Sequence, residues 1–301
     1  NRATLGGMIN TDACGKGSRI FGRTSDHIIE LSCILSNGEV LLSHALDSEK
    51  LCLNKKKQGI KGEIFKVVDT VVKKKAGLIE LIFPKMSRFL TGYNLAKVYG
   101  NIEKKFNLNY LISGSEGTLA VVSEAKLKLT NLPKYKMLLV AKYEFFDDAL
   151  KDAENLISHD PLAIETIDEK ILSLAKKDLI YLKIKDYISD EIDDLRNKTR
   201  PTRSISLIEF CGNNKNLLQN KITKLCKSIN EKKNTHGNAT GYYLTDDTLE
   251  IKNLWTLRKK GVGLLGNMKG KRKPLPFVED TVVPHKNLSS YISEFRKLLD
   301  S

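Results

Sequence analysis

The sequence predicts an α+β protein in two parts, residues 1–133 and 134–301, and three observations carry that expectation. Residues 113–118 (SGSEGT) form a glycine-bracketed polar turn that runs directly into an alternating apolar stretch, so a turn feeds a strand. Asn37 and Gly38 sit between two apolar runs, the strongest short hairpin signal. Past Pro133, which cannot continue a strand ladder, two strand-helix-strand units follow, the pattern of an antiparallel sheet with helices on one face.

The elements follow in order. Residues 3–18 carry Gly6, Gly7, Gly15 and Gly17 among short polar residues, the composition of a loop whose amides can line an anion. Residues 27–42 read as the two hairpin strands. Residues 60–76 and 94–106 have helical spacing, with Gly77 as a stop after the first and Gly100 weakening the second. A strand at 119–129 closes the first part. The second part reads as strand 136–144, helix 146–158, strand 162–167 and a charged helical segment 168–198. Strand 204–210, helix 214–233, strand 239–244, helix 246–266, strand 276–283 and an amphipathic helix after His285 complete it. There are no long internal repeats and no low-complexity linkers.

Composition narrows the function classes. A chain of 301 residues fits about two domains, and 41% hydrophobic residues exclude a disordered tail. The net charge of +14 is scattered in pairs and triplets such as Lys55–Lys57 and Lys232–Lys233, which read as solvated faces. Only Lys269–Lys273 is a dense patch, read as an anion-attracting loop at least as much as a nucleic-acid site. The aromatic residues are not interleaved with it, so specific nucleic-acid binding is not expected. The five cysteines include no Cys-x-x-Cys pair, which argues against zinc-ribbon and cluster-ligand spacings. With no signal sequence and no membrane span legible, the expected location is cytoplasmic.

The two glycine stretches gain meaning from their wording. Residues 4–13 (TLGGMINTDA), 21–26 (FGRTSD) and 114–119 (GSEGTL) together resemble the FAD-linked oxidase family, which includes D-lactate, glycolate and D-2-hydroxyglutarate dehydrogenases. The resemblance extends through 83–85 (FPK), 90–95 (LTGYNL), 254–260 (LWTLRKK) and 276–284 (PFVEDTVVP), and so covers most of the chain. It is strongest toward the large bacterial members that join this flavoprotein to an iron–sulfur domain.

That likeness implies the second half of a split FAD-binding domain of the vanillyl-alcohol-oxidase/PCMH type, then an antiparallel-sheet-plus-helices substrate (cap) domain. It assigns Gly6, Gly7, Thr11, Asp12, Gly15, Gly114, Ser115, Gly117 and Thr118 to FAD contact, although Asp12 and Cys14 stand where relatives commonly have Asn and Gly. An iron–sulfur cluster would belong to the parent, with no ligands in this chain. The implied partner is a small-molecule 2-hydroxy acid, D-2-hydroxyglutarate favoured; the electron acceptor and a homodimer stay open.

Flavin oxidation of a 2-hydroxy acid needs a cradle for the cofactor, a cation for the carboxylate and a base for the hydroxyl proton. From spacing alone Arg258 reads first as a helical arginine snorkelling beside Trp255; the family resemblance reverses that, since Arg258 matches the family's substrate-binding arginine and its guanidinium fork suits a carboxylate. Lys273 is a second candidate cation, and Glu116 either accepts from a ribose hydroxyl or is an exposed turn carboxylate. No base and no metal site is assigned, because the five histidines neither cluster nor sit beside paired carboxylates. The chain begins at the second family loop, so it reads as an excised, proteolysed or gene-split piece. The competing expectation is a catalytically silent scaffold or partner-binding module.

Overall fold

The computed structural model describes residues 3–86, 92–100, 104–193, 198–233, 235–266 and 281–300. They belong to two compact units, Asn1–Asn131 and Leu132–Ser301.

The first unit opens with a helix, α1 (Leu5–Asn10), where the glycine content led us to expect a loop. Thr4 starts it: its Oγ1 accepts a hydrogen bond from Gly7 N at 3.1 Å, and Ile9 buries at 2% exposure, which together outweigh the helix cost of two glycines. After α2 (Ser18–Phe21), β1 (Ile28–Ile34) and β2 (Val40–His44) form the antiparallel hairpin, with Gly38 at φ 84° in its turn. The helix α3 (Ser48–Lys55), not read from the sequence, is capped by Asp47, whose Oδ1 accepts from Lys50 N at 2.8 Å.

Helix α4 (Gly59–Lys74) buries Phe65, Asp69 and Val72 on one stripe. Gly77 does not stop the chain: Lys75 breaks the helix and α5 (Ala76–Ile82) resumes it. The expected helix over 94–106 is absent from the described part of that stretch, residues 101–103 lying outside it. Leu95–Lys97 make one 3₁₀ turn, and Phe106 bridges both Leu46 and Tyr99. Phe106 packs 5.9 Å from the Phe65 ring and 5.5 Å from the Tyr99 ring while exchanging backbone bonds with Leu46 of 2.8 and 2.9 Å. That pairing outcompetes a weak helical period. Then come α6 (Asn109–Ile112) and β3 (Val121–Leu127), giving an antiparallel sheet of order β2-β1-β3.

A buried ionic knot ties this unit together. Asp69 receives Lys55 Nζ at 2.5 Å, Lys73 Nζ at 2.8 Å and the Tyr99 hydroxyl. Burial pushes its carboxyl up, yet the three hydrogen bonds outweigh that and hold it down at about 2.

The second unit runs β4 (Tyr135–Tyr143), α7 (Phe146–Ser158), β5 (Ala163–Ile167), α8 (Glu169–Ala175) and α9 (Tyr181–Ile184). The short hairpin β6 (Glu191–Asp193) and β7 (Lys198–Arg200) follows, so the 168–198 stretch is not helical throughout. Next are β8 (Ser204–Gly212), α10 (Lys215–Lys232), β9 (Gly241–Thr245), α11 (Thr248–Gly266) and α12 (Leu288–Asp300). Of the expected strand 276–283, residues 276–280 lie outside the described residues and 281–284 carry no regular structure.

The four-stranded sheet has order β5-β8-β4-β9 with every pair antiparallel, the split β-α-β arrangement. Helices cover both of its faces rather than the single face expected. Leu138, Val140, Ile205 and Leu207 pack under α8, α9 and α11; Leu139, Ala141, Ile208 and Phe210 pack under α7 and α10. Strands buried on both sides carry continuous apolar runs, which is how 137–141 (MLLVA) and 205–208 (ISLI) read. Among the described residues no helix is long and apolar enough to cross a membrane.

Candidate functional site

In the first unit the 113–118 turn is stitched onto the end of α1. Gly114 N donates to Ile9 O at 3.0 Å, Glu116 N to Asn10 O at 2.9 Å, and Ser113 Oγ to Ile9 O at 3.0 Å. Gly114 at φ 81° and Gly117 at φ 77° supply the left-handed backbone this requires, and Glu116 joins them at φ 53°. The two glycine stretches are thus neighbours in space although about a hundred residues apart in sequence.

A cleft of about 350 Å³ opens where they meet, lined by Thr11, Asp12, Arg23, Tyr93, Gly114, Ser115, Glu116 and Thr118. Its floor is an ion pair: Asp12, turned by φ 45°, lies 3.3 Å from Arg23 Nη1 and accepts from Ser25 N at 2.9 Å, with both charged side chains at least nine-tenths buried. Tyr93 OH meets Thr118 Oγ1 at 2.8 Å on one wall. Beside Arg23, Asp26 accepts from Arg23 N at 2.9 Å and Lys97 Nζ at 2.8 Å. Burial raises the Asp26 carboxyl, but those bonds prevail and hold it below the ordinary carboxylate range.

Several buried polar atoms around these loops have no hydrogen-bond partner: Ser115 Oγ, Asn10 Oδ1, Ser25 Oγ, and both amide atoms of Asn94, which follows Tyr93. Each such atom costs about 1–3 kcal/mol if left unpaired, and of these residues Ser115 lines the cleft.

Of the residues the family resemblance assigned to the cofactor, Thr11, Asp12, Gly114, Ser115 and Thr118 line this cleft, and Gly117 shapes the turn behind it. Gly6 and Gly7 lie within α1 and Gly15 in the turn after it; none of the three lines the cleft. Asp12 is engaged through its carboxylate, which leaves it the role of fixing the loop. Arg23 and Tyr93, both inside the quoted motifs, were missed as site residues, because nothing in their spacing announces an ion pair or a hydroxyl contact.

In the second unit Arg258 lies on α11, whose Leu254, Trp255 and Leu257 are buried. Its Nε donates to Glu165 Oε2 on β5 at 3.0 Å, and about half of its side chain is exposed. Lys260 on the same helix pairs with Asp178 at 2.9 Å. Lys273 and the rest of the basic patch 269–273 lie outside the described residues. His27 Nε2 donates to Phe21 O at 2.7 Å while its Nδ1 lies 3.3 Å from Lys128 O, His159 caps α7, and His236 approaches Asp148 at 3.5 Å. Among the described residues no group of three or more His, Cys, Asp or Glu could hold a metal ion.

Comparison with known proteins agrees with the resemblance. Residues 132–301 match the family model of FAD linked oxidases, C-terminal domain, and residues 1–43 match an FAD binding domain. Over its whole length the chain is 42% identical to a D-2-hydroxyglutarate dehydrogenase of Haemophilus influenzae and 39% identical to one of Escherichia coli, and it spans 29% of the length of each. It is 23% identical to the glycolate oxidase subunit GlcD of Bacillus subtilis over 96% of this chain and 46% of that relative.

Proposed function

The chain belongs to the FAD-linked oxidase family, and from that premise we propose that it supplies cofactor-cradle and substrate-cap portions of a dehydrogenase that oxidises D-2-hydroxyglutarate to 2-oxoglutarate. The observation that carries this reading is the polar cleft at the meeting of two glycine-bearing loops, which holds the partnerless Ser115 hydroxyl. The chemistry of the cleft fits FAD: the hydroxyls of Thr11, Ser115 and Thr118 match a polar ligand, and the backbone at Gly114 and Gly117 can approach a flat or anionic one. Bound FAD would supply an acceptor for the hydride leaving the substrate's C2.

The chain's own residues do the rest. The Asp12–Arg23 pair holds the first loop against Ser25, and the turn bonds to Ile9 and Asn10 hold the second, so both walls are fixed before a ligand arrives. Arg258 takes a substrate carboxylate, its planar fork orienting the 2-hydroxy acid. The choice of acid rests on the names of the relatives about 40% identical to this chain.

The test is Arg258→Lys in the full-length protein. Folding and flavin content should persist while kcat/KM for D-2-hydroxyglutarate falls roughly ten- to a hundredfold, since charge survives and the two-point grip does not. Unchanged kinetics would make Arg258 a packing residue and move the carboxylate partner elsewhere.

A further inference from the structure

We propose that Glu165 is a positioning residue for the substrate carboxylate: it clamps Arg258 by Nε so that the Nη1–Nη2 edge of the guanidinium faces the acid. The proposal rests on the assignment of Arg258 made above.

A guanidinium carries five N–H groups, one on Nε and two on each Nη. Glu165 Oε2 takes the Nε proton at 3.0 Å, and among the described residues Arg258 makes no other hydrogen bond or ion pair. The outer edge, the one shaped for a bidentate carboxylate, therefore remains available.

Both ends of this contact are anchored. Glu165 sits opposite Leu207 in the β5–β8 ladder and so shares the sheet face that α11 covers. Its neighbour Thr166 is fixed through Oγ1 to Ser206 Oγ at 2.9 Å. Arg258 stands on a helix held by Leu254 and Leu257, each 0% exposed. Because apolar packing already seats α11, this half-exposed pair adds little to folding, as surface pairs generally do. What it restricts is the swing of a long side chain, and a site that meets its ligand with the arginine already oriented loses less freedom on binding.

Glu165 also carries a negative charge beside the proposed carboxylate site, so charge and tether act in opposite directions. Two substitutions separate them. Glu165→Gln keeps an oxygen that can accept from Nε and removes the charge; Glu165→Leu removes both.

The experiment uses the full-length holoenzyme, with steady-state kinetics on D-2-hydroxyglutarate and calorimetric titration with 2-oxoglutarate, which reads carboxylate binding without turnover. The Gln variant should bind within roughly threefold of the unmodified protein, while the Leu variant should raise KM and the 2-oxoglutarate Kd roughly three- to tenfold, the cost of re-ordering one long side chain. In an Arg258→Lys background, Glu165→Leu should have no further effect, because the group it positions is gone. An unaltered KM and Kd in the Leu variant, or effects of the two changes that simply add, would overturn the positioning role. If Arg258→Lys alone leaves both constants unchanged, the assignment of Arg258 fails and this proposal with it; if Arg258→Lys impairs binding and Glu165→Leu does not, only the positioning role fails.

Discussion

The two units differ in how completely they pair their buried polar groups. In Leu132–Ser301 they find partners inside the protein: Ser204 Oγ donates to Ile167 O at 2.9 Å, Tyr143 OH to Asp152 Oδ2 at 2.8 Å, and Lys142 Nζ reaches Glu191 Oε1 at 2.8 Å. The sheet they sit in is closed on both faces by helices. In Asn1–Asn131 the strand β3 is exposed at five of its seven positions, and Asn10, Ser25, Asn94 and Ser115 bury polar atoms that bond to nothing. A folded chain rarely keeps such atoms without a use for them. On the reading proposed above, those atoms in the first unit await the cofactor, whereas the second unit offers its ligand a side chain, Arg258, rather than a buried polar pocket.

The sharpest way to break this contrast is to cut into each unit. Phe210, 1% exposed in the core under α7 and α10, should cost about 3–5 kcal/mol when replaced by Ala, read by denaturant unfolding. Val121 on β3, 63% exposed, should change stability by less than about 0.5 kcal/mol on the same substitution. Equal losses at the two sites would show that β3 is covered in the full-length protein.

A smaller effect sharpens the comparison inside the first unit, where Asp69 is the fully paired counterexample. Its carboxyl lies at about 2 when folded, below its ordinary value of 3.8, so the group stabilises the fold above pH 4 and that contribution disappears as pH falls through 2. The difference in unfolding free energy between the unmodified protein and Asp69→Asn should therefore be on the order of 2 kcal/mol near neutrality and shrink between pH 4 and 2. A gap that stays constant with pH would mean the Lys55 and Lys73 contacts do not hold the carboxylate in solution.

Smallest, and aimed at the partnerless atoms, is Ser115→Ala. Deleting a buried hydroxyl with no partner should stabilise the ligand-free protein by up to about 1 kcal/mol while weakening FAD binding by a similar amount, measured by thermal unfolding with and without FAD. Destabilisation of the ligand-free protein would mean the hydroxyl is satisfied without a ligand.

Much of the second unit was legible in the sequence because its signals are local. The helix expected over 146–158 coincides with α7, and the apolar runs of β4 and β8 announce strands. Their continuity also announced cover on both faces, a cue read there as one face. The first unit was read less well where distant contacts decide. Phe106 is drawn into a bridge with Leu46, which no helical period reveals, and Thr4 turns a glycine-rich stretch into α1 by a single cap. At the candidate site, motif glycines disclosed the turn, whereas Arg23 needed the fold to bring Asp12 within 3.3 Å.

Amide hydrogen exchange on the full-length protein, with and without FAD, tests the central claim most directly, because it reads both units at once. Binding should slow exchange at residues 9–13 and 113–118, where the two loops form the cleft, and leave the β4 and β8 ladders unchanged. FAD binding with unaltered exchange at both loops would contradict the account.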